Sequence, residues 1–436
     1  MKFESKLQKT PELFSLLEDT LNQSHPLYKL SNKIDWSLFE ESFLPLYSSK
    51  DVGRPAKPIR LMCGLLILKH IRNLSDESIV EQWSENIYYQ YFCGATQFIS
   101  CPPCDPTELI YFRKRIGEQG IELILKESIR VNDDHKDNTP SVVFIDSTVQ
   151  EKNITYPTDS KLHNKIISHC QSIAKEENLL LRQTYTQTLK RLKRDQRFRT
   201  NAKNKNKAHK ADKKIKTIAG RLVRELERKL PPDSPYRNEL ELFKKVLSQK
   251  RTSKNKIYSL HEPEVECISK GKEHKKYEFG NKVSILWDDK GIIVGAKSFR
   301  NEYDGHTIAE SLEQYKSLTN KTPKLLAGDR GYRGIKEIEK TLVVIPKPST
   351  KRQSKYERYK MKKLFQKRAG IEPVIGHLKS DHRLNRNFYK GLFGDSINIM
   401  LAAAAFNFKR AMRTLLAIIF REKKRRWLYN IQIKYQ

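Results

Sequence analysis

Apolar residues recur at helical spacing through the first third of the chain and at strand spacing further on. Leu13, Leu16, Leu17 and Leu21 predict an amphipathic helix within residues 1–50. Gly53-Arg-Pro-Ala-Lys-Pro58 reads as an extended basic break. Leu61, Leu65, Leu68 and Ile71 belong to a helical pattern running from Ile59 to about Tyr91, divided by the capping stretch Leu74–Ser78. Asp105–Arg115 starts a further helix whose basic face carries Arg113 and Lys114. Short helices joined by tight turns fit a DNA-binding head of helix-turn-helix type, and equally an ordinary bundle. The polar stretch Asn132–Pro140 is the expected linker.

After it, Val142-Val143-Phe144-Ile145 forms an apolar strand run closed by Asp146. Residues 162–250 return to helical spacing. Ile215, Ile218, Leu222 and Leu226 precede a stop at Pro231-Pro232, and Leu240, Phe243 and Leu247 follow it, which predicts a helical hairpin with a basic arm. Lys276–Trp287 alternates, Asp288-Asp289-Lys290-Gly291 makes a hairpin turn, and Ile292–Ala296 is the partner strand. Asp304–Leu312 begins a helix and Leu325–Gly328 is a strand ended by Asp329. A short helix is expected near Ile335–Lys340, then the strand Leu342–Ile345, stopped by Pro346. Ile397–Phe408, with Ala402–Ala405, reads as a buried helix supporting the core. With the helical insertion set aside, this order of elements is that of a mixed α/β, ribonuclease H-like core, a sheet flanked by helices. The expected domains are a helical DNA-binding region (1–131), a catalytic core (141–161 and 256–410), a basic helical insertion (162–255) and a basic tail (411–436). Arg421–Arg426 in that tail holds five basic residues and is expected to be unstructured.

Charge narrows the field. The 436 residues include 84 Lys and Arg against 51 Asp and Glu, a formal charge of +33, while 38% hydrophobic residues still allow a real core. That excess points to a polyanion partner, since each cation on a phosphate releases condensed counterions. A membrane surface is the rival polyanion. No run of about 18 apolar residues is evident, and Met-Lys-Phe-Glu-Ser-Lys lacks the apolar core of a signal peptide, so a cytoplasmic protein is expected. Between Lys190 and Lys229 there are 17 basic and four acidic residues. A charge run is commonly a solvated face, but this imbalance favours phosphate contact, with Arg194 and Arg197 among the candidates. Six scattered cysteines do not make a disulfide scaffold. Cys101-Pro-Pro-Cys104 has zinc-type spacing without a second pair, so reduced thiols are the simpler reading.

Asp146 and Asp329 each close an apolar strand run, where a carboxylate is costly unless it has a task or caps the strand. Glu372 lies in Arg368-Ala-Gly-Ile-Glu372-Pro-Val-Ile-Gly-His-Leu-Lys379, where one continuous helix would put Arg368, Glu372 and Lys379 on one face. An Arg368–Glu372 ion pair four residues apart is the bland alternative. Pro373 demands a kink or restart nearby. Carboxylates meeting at strand ends, with basic residues beside the third, are what two-metal phosphoryl transfer on nucleic acid needs. Asp304 reads as a helix cap or a neighbour of the metals, with His306 beside it. Tyr332 reads as a packing residue or a base-stacking one.

The spacing of Arg368, Glu372 and Lys379 (three residues, then six) resembles the third-carboxylate signature of the DDE transposases of bacterial insertion sequences, in the group typified by insertion sequences four and five. The family's tyrosine before the arginine is Phe365 here. Phe144–Thr148, Tyr277–Gly280, Tyr303–Thr307, Gly328–Tyr332 and Gly391–Asp395 are also similar. The resemblance spans about residues 50–410. It implies a ribonuclease H-like catalytic core, with Asp146, Asp329 and Glu372 as catalytic metal ligands for Mg²⁺, or Mn²⁺ in its place. It also implies an N-terminal DNA-binding region, binding to double-stranded terminal inverted repeats and strand transfer to target DNA. A homodimer on paired ends is expected. Arg368, Lys379 and Arg330 join Arg113, Lys114, Arg194 and Arg197 as expected DNA contacts. The rivals are a metal-dependent nuclease or resolvase on the same fold, and a catalytically silent DNA-binding protein derived from a transposase.

Overall fold

The computed structural model describes residues 16–47, 55–132, 142–250, 252–269, 276–300, 302–348 and 353–434. Leu13, the break at Gly53 and Arg54, and the linker beyond Asn132 lie outside them. The chain forms two compact units, residues 1–150 with 282–436, and residues 151–281.

Among the described residues of the first unit, seven α-helices precede the sheet: α1 (Leu17–Thr20), α2 (Pro26–Lys33), α3 (Trp36–Phe43), α4 (Ile59–Ile71), α5 (Asp76–Glu85), α6 (Ile87–Phe92) and α7 (Pro106–Asn132). α4 is buried along almost its whole length, so its sequence is apolar on every side rather than on one stripe. Ser75 caps α5 through Ser78 N–H at 3.0 Å, as the sequence predicts.

The strands are β1 (Val142–Lys152), β2 (Glu266–Ser269), β3 (Tyr277–Asp288), β4 (Ile293–Phe299), β5 (Leu325–Ala327), β6 (Glu337–Ile338), β7 (Thr341–Val344) and β8 (Arg386–Asn387). In the first unit they run in the order β3, β1, β5, β7, β6, with β4 paired to β3. β1, β5 and β7 are parallel to one another, and β3–β4 and β6–β7 are antiparallel hairpins, which makes the sheet mixed. Gly291, at φ +87°, supplies the left-handed position of the β3–β4 turn.

α12 (Ile308–Thr319), α13 (Lys355–Arg368), α14 (Ile371–Asp381) and α15 (Gly391–Lys434) flank the sheet. Ala402–Ala405 are fully buried, and their small side chains let α15 lie close against α4, α7 and β4.

The second unit holds α8 (Asp159–Glu176), α9 (Thr186–Asp195), α10 (Ala202–Lys229) and α11 (Arg237–Ser248). They share a core that includes Ile167, Ile215, Leu222 and Phe243. There β2 pairs with residues 277–280 of β3.

Four expectations are corrected. β1 does not end at Asp146, because it lies between β3 and β5 and continues to Lys152 after β5 has stopped. The helix expected at Ile335–Lys340 is β6, whose register (Ile338↔Thr341) leaves only Glu339 and Lys340 for the turn. Glu339 takes φ +50° there, which a helix would not allow. The backbone of Arg421–Arg426 is helical, inside α15. One segment, Gly391–Ala417, is long and apolar enough to cross a membrane by length and composition; 72% of its most apolar stretch is buried inside the protein, as befits a core helix.

Candidate active site

The β1–β5 register places two of the three acids. The parallel pairs are Val142↔Leu325, Val143↔Leu326 and Phe144↔Ala327. Gly328 N–H still bonds Val344 O at 3.1 Å and Asp329 is extended (φ −81°, ψ −172°), so the chain keeps its course beyond β5. Two residues past the last pair, Asp146 and Asp329 fall level on neighbouring strands, whose axes are about 4.8 Å apart. Side chains alternate along a strand, so both acids share the face of Phe144 and Ala327. Ile371, in the first turn of α14, is fully buried in a cluster with those same two residues. Glu372 therefore follows directly on the residue that docks α14 to the face bearing Asp146 and Asp329.

Each carboxylate has an anchor. Asp146 accepts from Ser147 N–H (2.9 Å) and faces the Arg368 guanidinium at 3.2 Å, with both side chains less than a fifth exposed. Asp329 accepts from Gly331 N–H at 2.8 Å. A Cβ on Gly331 would sit 2.9 Å from an oxygen of both Asp304 and Asp329, so these carboxylates flank one backbone point that a larger residue would crowd. Asp304 is not a helix cap; it pairs with Lys282 at 3.1 Å. Burial first, then the charges of Asp304, Asp146 and Asp329, push the Tyr332 hydroxyl well above its usual range. The charges of three acids are thus felt at one tyrosine. That ring is wholly buried, so it packs and does not stack on a base.

The third acid is held differently. Arg368 and Glu372 do not share one continuous helix: α13 ends at Arg368 and α14 starts at Ile371. Pro373 falls in the first turn of α14, where its missing N–H costs nothing, which is the restart the sequence predicts. Arg368 pairs with Asp146 rather than Glu372. Gly370, at the junction, has no room for a side chain, since a Cβ would lie 2.9 Å from the Trp287 ring. Trp287 in turn packs on Phe144 at 5.6 Å between ring centroids. Glu372 itself is exposed.

Among the described residues no three His, Cys, Asp or Glu side chains stand together closely enough to hold a metal. The donor chemistry nonetheless suits a hard divalent ion, with two half-buried carboxylates side by side and a third on the adjoining helix. Of the two cysteines in Cys101-Pro-Pro-Cys104, Cys101 is exposed and Cys104 is buried, with burial pushing its thiol up to about 11.

Of the expected DNA contacts, Lys114, Arg194, Arg197 and Arg330 are exposed, and Lys379 and Arg368 are half-buried. Arg113 is corrected: it is buried and donates to both oxygens of Asp76 at 2.8 Å. The basic residue at a helix face that looked available is spent on an internal ion pair. Sequence reasoning also missed α13. It buries no residue at all, exposes Tyr356 and Tyr359, carries seven Lys and Arg against one Glu, and ends at the arginine on Asp146. Its signal was the charge count, masked by the absence of an apolar stripe.

Comparison with known proteins now bears on this geometry. Residues 15–115 match the family described as Transposase domain (DUF772), and residues 248–408 match the Transposase DDE domain. The second match contains Asp329 and Glu372, and Asp146 lies between the two. A protein of Rhizobium meliloti, described as an uncharacterized protein ORF8 in the nfe locus, is 41% identical over 178 residues, covering 40% of this chain and 85% of that protein. No solved structure matches. The chain belongs to the DDE transposases, with the DUF772 region at its N-terminal side and the DDE domain following, as in the group typified by insertion sequence four.

Proposed function

We propose that this transposase binds the terminal inverted repeats of its element, cuts the phosphodiester at the ends and joins the freed 3′-hydroxyl to target DNA, acting as a dimer on paired ends in the cytoplasm. The observation that carries the reading is the level placement of Asp146 on β1 and Asp329 just beyond the end of parallel β5, with α14 docked on the same face. The sheet is read as a ribonuclease H-like core with residues 162–255 as its insertion. Asp146, Asp329 and Glu372 would hold divalent magnesium, or manganese in its place. Such an ion, when bound, polarises the phosphate and lowers the pKa of an attacking water.

The protein's own residues do the rest. Asp146 and Asp329 fix hard oxygen donors at one place because a sheet tolerates no register drift on a buried face. Arg368 reaches the same place, where its fork can take a phosphate in two bonds, and Lys379 adds a point charge one helix further on. α13, with Lys360, Lys363 and Lys367 exposed, tracks the phosphate backbone toward Arg368. Lys114, Arg330, Arg194 and Arg197 add contacts elsewhere on the DNA.

The test is an end-joining assay with a hydroxyl-terminated repeat, Mg²⁺ and a target plasmid. Joined product is expected, lost in Asp146→Asn and Glu372→Gln while duplex binding persists. Cleavage without joining would replace the reading with a nuclease, and binding without either reaction would leave a DNA-binding protein.

A further inference from the structure

A cavity of about 790 Å³ opens in the first unit between the helices that carry Lys69, Asp76 and Arg113 and the segment 383–397. None of the catalytic acids lines it. Its volume falls in the range of sites that hold a small organic ligand.

The floor is a buried charge cluster. Lys69 donates to Asp76 at 2.8 Å and to the Tyr389 hydroxyl at 2.9 Å, and Arg113 grips both oxygens of Asp76. The Tyr389 ring takes both cations on its π-system, with Lys69 at 4.7 Å and Arg113 at 4.5 Å from its centroid. Two buried cations thus share one carboxylate, and an excess positive charge removed from water seeks an anion. The mouth adds Lys114, Arg383 and Lys390 against Glu77.

The walls are aromatic. Phe388 is 57% exposed and Phe393 36% exposed, although both belong to the lining. Arg383 lies over the Phe388 ring at 5.4 Å and is held at φ +65°, a backbone conformation that costs energy in a residue with a side chain. Flat apolar rings beside an unbalanced cationic floor match one chemistry: a planar base attached to a phosphate.

We propose that this cavity receives one unpaired nucleotide of a DNA strand, its base against Phe388 and Phe393 and its phosphate on Arg383 and Lys390. The proposal rests on the reading of the protein as one that acts on DNA. It adds a place where the protein distinguishes an unpaired nucleotide from a paired one. A paired base keeps its faces stacked in the duplex and offers nothing to Phe388. An unpaired one stacks on the ring with little regard to its identity, because every base has a π-face.

The experiment uses the full chain and 2-aminopurine fluorescence. Three probes are compared: a duplex with one unpaired 2-aminopurine, the same duplex with 2-aminopurine paired, and the free 2-aminopurine nucleotide monophosphate. Quenching on the unpaired duplex alone is expected, with affinity about tenfold weaker in Phe388→Ala and a further loss in Lys390→Gln. Both substitutions are at exposed positions, and an unchanged melting temperature checks that they fold. Phe388→Tyr should restore the affinity. Quenching by the free nucleotide at similar affinity would overturn the DNA-strand source and leave a mononucleotide site. Equal affinity for paired and unpaired duplex, or quenching untouched by Phe388→Ala, would overturn the cavity. Paired-duplex binding measured alongside separates that failure from failure of the DNA reading itself.

Discussion

The three acids of the candidate site are held in two ways. Asp146 sits on β1 and Asp329 two residues beyond the end of neighbouring β5, so the register that fixes Val142 on Leu325 brings the two level. Glu372 rides on a helix that is anchored by Ile371, Val374 and Leu378 and preceded by a glycine pressed against Trp287. The first two acids are thus set by the sheet register, whereas the third is set by how α14 packs. Glu372 is exposed, whereas Asp146 and Asp329 are half-buried.

The largest expected effects remove the strand-borne acids. Asp146→Asn and Asp329→Asn should each drop end cleavage to background in a gel assay while leaving the melting temperature nearly unchanged. If either mutant still cleaves at the normal rate, the sheet is not what places the chemistry. Next comes the helix. Ile371→Ala should cost roughly 2–5 kcal/mol of packing, and Gly370→Val about 1–3 kcal/mol by overpacking against Trp287. Both should depress cleavage through Glu372 and spare duplex binding. Stopped activity with no loss of thermal stability would mean that α14 is not anchored as described.

A smaller effect separates α13 from α10, two basic helices of opposite construction. α10 buries Ile215, Ile218 and Leu222 and turns its charge outward, with Lys229 paired to Glu225. α13 buries nothing. Lys360→Gln, Lys363→Gln and Lys367→Gln together should flatten the salt dependence of DNA binding by about 0.9 per lysine on a log–log plot, without shifting the melting temperature.

The smallest effect concerns Asp76. Burial alone would raise its pKa, but the hydrogen bonds from Arg113 and the charge of Lys69 outweigh it and hold it at about 2. A depressed carboxylate stabilises the fold above its unfolded pKa and loses that contribution as pH falls. About 2 kcal/mol should therefore vanish between roughly pH 4 and pH 2, and the acid limb of a stability–pH curve should lose that component in Asp76→Asn.

Much of this was legible in the chain and some was not. Asp146 and Asp329 could be read because an acid interrupting an apolar strand run is a local signal, and the β3–β4 hairpin because its turn residues are adjacent. The Arg368–Asp146 pair joins residues far apart in sequence, a helix end and a strand that only the tertiary fold brings together. Arg113 was misjudged because a basic residue on a predicted helix face carries no mark of its distant partner Asp76. α13 escaped notice since helical periodicity is visible only where one face is apolar, and this helix has none.

The central claim is that Asp146, Asp329 and Glu372 form one metal site. Fe²⁺ substituted for Mg²⁺, with ascorbate and peroxide, generates radicals that cut the polypeptide beside a bound ion, and mass spectrometry maps the cuts. The account predicts cleavage near all three acids, competed away by Mg²⁺ and abolished in Asp146→Asn. Cuts near Asp146 and Asp329 that never include the Glu372 segment, even with an end substrate bound, would contradict it.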